Sequence, residues 1–236
     1  MHIWVSLTAG ALGSGLVASP GMAADPPQAV HVMTPVQLAV PLSRPASDLT
    51  AWVHTSGNNG DLPFLVIDKV AAAVWAFDAR GILMGSTPAL VGIATGDDSE
   101  AGVGNRELSR IPREQRTTPA GRFVASFGRA AGGHILLWVD YAAAVSLHPV
   151  ITANKAERRL ERLRSATPDD NRITYGCINV PPAFYGNVVR PLIANASGIV
   201  YILPDTKPVG QVFPGVLSAQ GESAPAPRSD APTSEQ

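Results

Sequence analysis

The sequence predicts a mainly β domain with two short helices in its C-terminal half. Three observations lead to this fold class. Short apolar runs bounded by turn residues recur along the chain, which is typical of strands. The 236 residues include 22 glycines and 21 prolines, and only 16% are charged. Apolar residues at helical spacing occur in only two segments. This composition favours a β-rich domain with many turns over a helical bundle.

The start of the chain predicts export. The apolar stretch from Ile3 to Val17 is followed by Gly21 and Ala23, small residues at the spacing that a signal peptidase needs. We therefore interpret residues 1–24 as a signal peptide. The stretch is short for a membrane span, so an uncleaved anchor is the alternative and no stable membrane span is expected in the mature form. The predicted location is the periplasm or the cell wall.

Three segments are predicted after the signal peptide. Residues 25–60 are rich in proline and poor in periodic apolar content, which predicts an extended approach segment. Residues 61–206 form the predicted main domain, and a mature chain of this size can bury a core without disulfides. Residues 207–236 are predicted to be a disordered tail, because beyond Ser218 they contain no Val, Ile, Leu or aromatic residue.

Strands are predicted wherever a short apolar run lies between turn residues. Asp78–Gly81 and Thr118–Gly121 supply such turns before the third and fourth runs. The predicted strands are Phe64–Lys69, Ala73–Phe77, Ile82–Ser86, Arg122–Phe127, His134–Tyr141, Ala143–His148 and Ile199–Leu203.

Two segments carry helix signals. Asn154–Glu157 has the pattern of a capping box, and Pro182 opens the second segment in a position that a first helical turn tolerates. Apolar residues follow at helical spacing in both: Ala156, Leu160 and Leu163 in the first, and Phe184, Val188 and Leu192 in the second. Pro191 should end or kink the second helix.

Cys177 is the only cysteine, so it has no partner for an internal disulfide. In an exported protein such a cysteine is inert, pairs between chains, or is a reactive thiol. An inert core cysteine is the simplest interpretation, because free cysteines are often buried. However, Cys177 follows Gly176 among polar residues and precedes a predicted helix start at Pro181, and a helix N-terminus lowers a thiol pKa.

A histidine is available to activate this thiol. Alternation along the strand Ala143–His148 places Ser146 and His148 on one face and Val145 with Leu147 on the other. An imidazole beside a thiol makes it nucleophilic, so Cys177 and His148 together suggest acyl transfer. The backbone amides of Gly176 and Cys177 would be the oxyanion donors.

Other chemistries have little support. The net charge of −1 offers no electrostatic footprint for nucleic acid. His31, His54 and His134 lack metal-ligand spacing, so no metal and no cofactor are expected. Asp97, Asp98 and Glu100 look like a solvated acidic turn.

The run Tyr-Gly-Cys-Ile-Asn at 175–179, with His148 upstream, resembles the signature of the L,D-transpeptidases, the YkuD-domain family. Ile93–Gly96 and Thr118–Phe123 fall in the order that this family shows. The resemblance extends from about residue 62 to residue 204. It implies a YkuD-like β-sandwich.

The resemblance also implies an activity. Cys177 would be the nucleophile and His148 the general base, while Thr174 and Asn179 occupy motif positions. Such enzymes attack a carbonyl in a peptidoglycan stem peptide, release the terminal D-alanine, and pass the acyl group from a cysteine thioester to an amine of another stem. Tyr175 stands where many members have His, and Pro149 where Gly is usual. An L,D-carboxypeptidase or endopeptidase, and a non-catalytic peptidoglycan-binding protein, remain alternatives.

A basic segment lies between the predicted base and nucleophile. Its residues Arg158, Arg159 and Arg162 could line the rim of the site and meet the carboxylates of stem peptides. The alternative is that they form a solvated helix face.

Overall fold

The computed structural model describes residues 40–194 and 197–216. The predicted signal peptide, the first part of the approach segment and residues 217–236 of the predicted tail lie outside these ranges. In the described ranges no helix is both long and apolar enough to cross a membrane.

The described residues form a mainly β fold with short helices. The strands are β1 (Phe64–Asp68), β2 (Ala73–Phe77), β3 (Leu83–Pro88), β4 (Val91–Gly92), β5 (Gly121–Arg129), β6 (Ile135–Asp140), β7 (Val145–Pro149), β8 (Arg172–Thr174), β9 (Ile178–Val180) and β10 (Gly198–Leu203). The helices are α1 (Arg44–Ser56), α2 (Arg159–Arg162), α3 (Pro182–Phe184), α4 (Arg190–Ile193) and α5 (Val209–Val212).

Eight strands form one sheet in the order β3-β2-β1-β10-β5-β6-β7-β9, and β4 pairs with β8. The pairs β1–β10 and β7–β9 are parallel, and the remaining pairs of the large sheet are antiparallel. The sequence prediction missed β4, β8 and β9 because runs of two or three residues carry no periodic signal.

Alternation along the strands builds two cores, one on each face of the sheet. In β1, Leu65 and Ile67 belong to one buried cluster, whereas Phe64 and Val66 belong to the other. The first cluster also contains Leu147 of β7 and residues of β6 and β9. The two halves of the sheet therefore share one core, which confirms the predicted mainly β, sandwich-like fold.

Helix α1 corrects part of the prediction for residues 25–60, because the thirteen residues Arg44–Ser56 are helical and not extended. The side chain of Ser43 accepts a hydrogen bond from the Ala46 amide at the start of α1. Pro45 lies in the first turn, where its missing N–H has no consequence. The buried face of α1 joins the second core through Leu49 and Val53. Pro45 therefore marks a helix start rather than an extended segment.

The boundary at residue 207 is also wrong. Helix α5 follows it directly, and the side chains of Phe213 and Val216 are buried in the second core. A short apolar segment at the beginning of the predicted tail thus completes the cover over this face of the sheet.

Both predicted C-terminal helices differ from the expectation. In the first, Arg158 has a φ of 51°, which separates a 3-10 turn at Lys155–Glu157 from α2 and leaves Leu160 exposed. In the second, a π-helical segment at Tyr185–Val189 joins α3 to α4, so the chain stays helical past Pro191. A π turn accommodates the proline because the regular hydrogen-bond ladder is already interrupted there.

A buried lysine lies at the end of β1. The ammonium of Lys69 is 2.8 Å from a carboxylate oxygen of Asp97 and 3.4 Å from one of Asp205. It also donates to the carbonyls of Gly96 at 2.6 Å and Thr118 at 2.9 Å. Asp97 is 4% exposed, so the expectation of a solvated acidic turn is wrong for this residue.

Asp97 should make stability dependent on pH. Burial works to raise the pKa of this carboxyl, but Lys69, Thr206 and backbone amides outweigh burial and hold the pKa well below its usual range. The stabilisation is therefore present above the unfolded value of about 3.9 and is lost as the pH falls below it. Asp97→Asn should lower the free energy of unfolding by about 3–5 kcal/mol at neutral pH and flatten its dependence between pH 5 and pH 3.

Urea unfolding at several pH values measures both effects. Asp98→Asn is the matched control, because Asp98 is an exposed partner of Lys207 and its loss should change stability by about 1 kcal/mol or less. Equal losses in the two variants would contradict the role given to the buried cluster.

Candidate active site

The parallel pairing of β7 and β9 brings the predicted site residues together. Leu147 lies opposite Ile178 and His148 opposite Asn179. Ser146 is therefore next to Cys177, with 3.6 Å between the Ser146 Oγ and the Cys177 Sγ. The predicted alternation is confirmed, because Val145 and Leu147 lie in the core and the polar pair points to the other face.

Two threonines shape the turn that carries Cys177. The Thr174 hydroxyl donates to the Cys177 carbonyl at 2.6 Å and accepts from the Gly176 amide at 3.1 Å. The Thr118 hydroxyl donates to the Gly176 carbonyl at 2.8 Å. The Gly176 amide is thus already used, so its predicted role as an oxyanion donor is wrong. Of the two predicted donors, the Cys177 amide is left.

Only glycine fits at position 176. Its φ is +123°, and a Cβ atom there would lie 2.7 Å from the Thr117 carbonyl oxygen. Both the left-handed backbone and the contact exclude a larger residue. The Gly-Cys junction therefore fixes the direction in which the Cys177 side chain leaves the chain.

Cys177 does not have the environment of an inert core cysteine. It is partly exposed and lines a cavity of about 290 Å³ together with His148, Tyr175 and Asn179. A molecule in this cavity would contact the sulfur.

His148 is buried and held at both ring nitrogens. Its Nδ1 lies 2.8 Å from the Pro149 carbonyl oxygen, and its Nε2 lies 3.1 Å from the Asn179 Nδ2. A carbonyl only accepts, so Nδ1 carries the proton of the neutral ring. Nε2 then has the lone pair, which accepts from the Asn179 amide nitrogen. The ring is thus in the neutral form that a general base needs.

The thiol and the imidazole change each other's pKa. Burial works to lower the pKa of His148, but the nearby Cys177 raises it above its usual value. Burial works to raise the pKa of Cys177, but His148 and Ser146 lower it. Both shifts favour a thiolate beside an imidazolium. The three residues of β9 separate Cys177 from Pro181, so the predicted helix N-terminus is not adjacent to the thiol.

The three candidate arginines do not share one position. Arg159 lines the Cys177 cavity, whereas Arg158 and Arg162 line a neighbouring cavity of about 330 Å³. Arg158 pairs with Glu161, and Arg162 donates to the carbonyls of Glu157 and Asp170. Arg158 and Arg162 therefore do not line the Cys177 cavity.

Two residues on the loop before β5 also belong to the surroundings of the site, although no sequence pattern indicates them. The Arg116 guanidinium lies 4.0 Å from the centre of the Tyr175 ring, a cation–π contact. Leu108 is exposed and lines the same cavity as Cys177. This loop consists of 3-10 turns, so no periodic pattern pointed to it. Tyr175 thus has a structural partner on the loop.

A metal centre has no support in the described ranges, where no group of three His, Cys, Asp or Glu side chains could hold an ion.

Comparison with known proteins gives similarity at the level of structure. No protein-family model matches the sequence, and no curated protein matches it. The structure is similar to those of several L,D-transpeptidases. The catalytic domain of the Enterococcus faecium L,D-transpeptidase aligns at 16% identity and a TM-score of 0.35, over 61% of this chain and 98% of that one.

Two further structures align over only part of their length. L,D-transpeptidase 1 of Mycobacterium tuberculosis aligns at 17% identity and a TM-score of 0.32, over 60% of this chain and 61% of that one. The helical cell shape determining protein Pgp2 of Campylobacter jejuni aligns at 13% identity and a TM-score of 0.40, over 66% of this chain and 55% of that one. The chain therefore spans less than two thirds of these two proteins.

Alkylation of Cys177 should depend on His148. Because the thiol pKa is lowered, iodoacetamide should react well below the usual thiol pKa of about 8.5, and the rate should fall as the lowered pKa is crossed. In His148→Ala the profile should move up towards that of a simple thiol. Mass spectrometry of the modified protein at a series of pH values measures the rates. Superimposed profiles would remove His148 from the activation of Cys177.

The Thr174 hydroxyl should be needed for the turn. Thr174→Val leaves the Gly176 amide and the Cys177 carbonyl without this partner, which should cost about 1–3 kcal/mol of stability and slow alkylation. Thr174→Ser keeps the hydroxyl and should behave like the parent. Chemical denaturation and the alkylation rate at neutral pH measure the two effects. A Val variant as stable and reactive as the Ser variant would show that the hydroxyl is dispensable.

Proposed function

We propose that the chain is a cell-envelope cysteine acyltransferase of the L,D-transpeptidase type, acting on peptidoglycan stem peptides. One observation carries the proposal: the partly exposed Cys177 thiol lies beside Ser146 and His148 in a cavity, with its pKa lowered and that of His148 raised. A thiolate beside an imidazolium is the arrangement that nucleophilic acyl transfer requires.

The first half of the reaction forms a thioester. The Cys177 thiolate adds to the carbonyl carbon of the peptide bond before the terminal D-alanine, and the oxygen takes the negative charge. The Cys177 amide would donate to this oxygen. The imidazolium of His148 gives its proton to the leaving nitrogen as the carbon–nitrogen bond breaks. D-alanine leaves with a free amine, and His148 returns to the neutral form.

The second half transfers the acyl group. An amine of another stem attacks the thioester, His148 accepts its proton, and Cys177 leaves as the thiolate. A second cavity of about 650 Å³ also contains His148, between Pro149, Ile135 and Tyr185. An amine in this cavity would approach the imidazole while the first stem stays in the Cys177 cavity. This favours transfer over hydrolysis, in which water replaces the amine.

Export is part of the proposal. Peptidoglycan lies outside the cytoplasmic membrane, and residues 1–24 carry the predicted signal peptide. The proposed location is the periplasm or the cell wall.

Product analysis tests the proposed reaction. Purified protein incubated with peptidoglycan should release D-alanine and produce new cross-linked stems, which mass spectrometry of the digested wall detects. Cys177→Ala should abolish both products, because the thioester no longer forms. D-alanine release without new cross-links would indicate the carboxypeptidase. If the parent protein binds the wall but releases nothing, the chain is a binding protein and the proposal fails.

A further inference from the structure

We infer that Arg159 is a positioning residue for His148, because it holds the Asn179 amide with its nitrogen towards the Nε2 of the imidazole. The inference deepens the proposed function and rests on it for the role of His148 as a base. The sequence analysis placed Arg159 at the rim as a substrate contact. The structure gives its guanidinium a different partner.

The contacts form a chain from the arginine to the imidazole. The Arg159 Nη1 donates to the Asn179 Oδ1 at 2.8 Å, and the Asn179 Nδ2 lies 3.1 Å from the His148 Nε2. Asn179 is 1% exposed, so water does not compete for its amide. The guanidinium can only donate, the amide oxygen can only accept and the amide nitrogen can only donate. The direction of donation from Arg159 to His148 is therefore fixed.

The orientation of the amide follows from the guanidinium. Arginine only donates, so it selects the Asn179 oxygen and leaves the nitrogen for His148. The amide nitrogen also only donates, so it pairs with the lone pair of a neutral imidazole. An imidazolium would place two donors against each other. Arg159 therefore favours the neutral form of His148, which is the form that accepts a proton.

Arg159 is itself fixed in place. Its Nε donates to the Glu157 carboxylate at 2.5 Å, and its side chain is only 13% exposed. The left-handed backbone at Arg158 turns the chain between Glu157 and Arg159, so their side chains meet two residues apart. Because Glu157 holds the Arg159 guanidinium in place, Arg159 fixes the Asn179 amide and is not free to bind a substrate carboxylate.

Other titratable groups around His148 do not replace the contact between Arg159 and the Asn179 amide. The Cys177 cavity contributes Cys177 itself, which raises the pKa of His148, together with Glu157 and Tyr175. The larger cavity contributes His134, Tyr185 and Arg190. The positive charge of Arg159 acts to lower the pKa of His148, in the same direction as the amide. Arg159 thus opposes the effect of the thiolate.

Titration of the His148 ring by NMR tests the inference without substrate. In the full chain carrying Cys177→Ala, which removes the coupled thiol, Arg159→Met should raise the His148 pKa by about one unit, because the freed amide can turn its oxygen towards the imidazolium. Arg159→Lys keeps a charged donor and should restore most of the parent value. Since no turnover is measured, a failure of the peptidoglycan assay and a failure here are distinguishable.

Two controls separate positioning from other effects. Arg158→Met removes a neighbouring charge that pairs with Glu161 and should leave the His148 pKa unchanged. In an Asn179→Leu background, Arg159→Met should lose most of its effect, because the amide is absent. An unchanged pKa in Arg159→Met, or a shift of full size in the Asn179→Leu background, would overturn the inference. If Arg159→Met does not fold, Asn179→Leu alone serves as the second variant. Removing the amide donor should raise the His148 pKa, and an unchanged pKa would overturn the inference.

Discussion

The geometry of the site depends on the ion pairs that the buried ammonium of Lys69 makes. It connects the end of β1 to Asp97 and Asp205, and Asp205 also binds Arg172 at the start of β8. Two positive and two negative charges thus balance in the interior. Buried ion pairs contribute little net stability compared with a well-packed apolar core, but breaking one partner is costly. Their main effect here is to fix four chain segments relative to one another: the end of β1, the loop at Asp97, the start of β8 and the segment at Asp205.

This fixed frame determines where the nucleophile lies. Lys69 binds the Thr118 carbonyl, while the Thr118 hydroxyl binds the Gly176 carbonyl, so one residue connects the ion cluster to the turn that carries Cys177. Arg172 begins the short strand that ends at Thr174, the second threonine of that turn. The buried charge cluster is connected through Thr118 to the turn that carries Cys177. It therefore holds this turn in one conformation.

The sequence predicts the larger strands well because apolar alternation is a local signal. It also identifies Cys177, His148 and Ser146, since period-two alternation places both polar residues of β7 on one face. It fails where order comes from distant contacts. Lys69 lies at the end of an apolar run and looks like a surface residue until its carboxylate partners, 28 or more positions away, are known. Likewise, only the Thr174 contact shows that the Gly176 amide is occupied.

Two of the residues that differ from the motif this sequence resembles, Pro149 and Tyr175, have limited consequences for the geometry. Pro149 has no N–H, but His148 uses the Pro149 carbonyl, which proline keeps. The Tyr175 ring contacts the Arg116 guanidinium. The orientation of His148 therefore comes from one backbone carbonyl and one amide, and neither depends on the two replaced side chains. Substitutions beside Cys177 should therefore leave the orientation of His148 unchanged as long as the Asn179 amide nitrogen faces the imidazole.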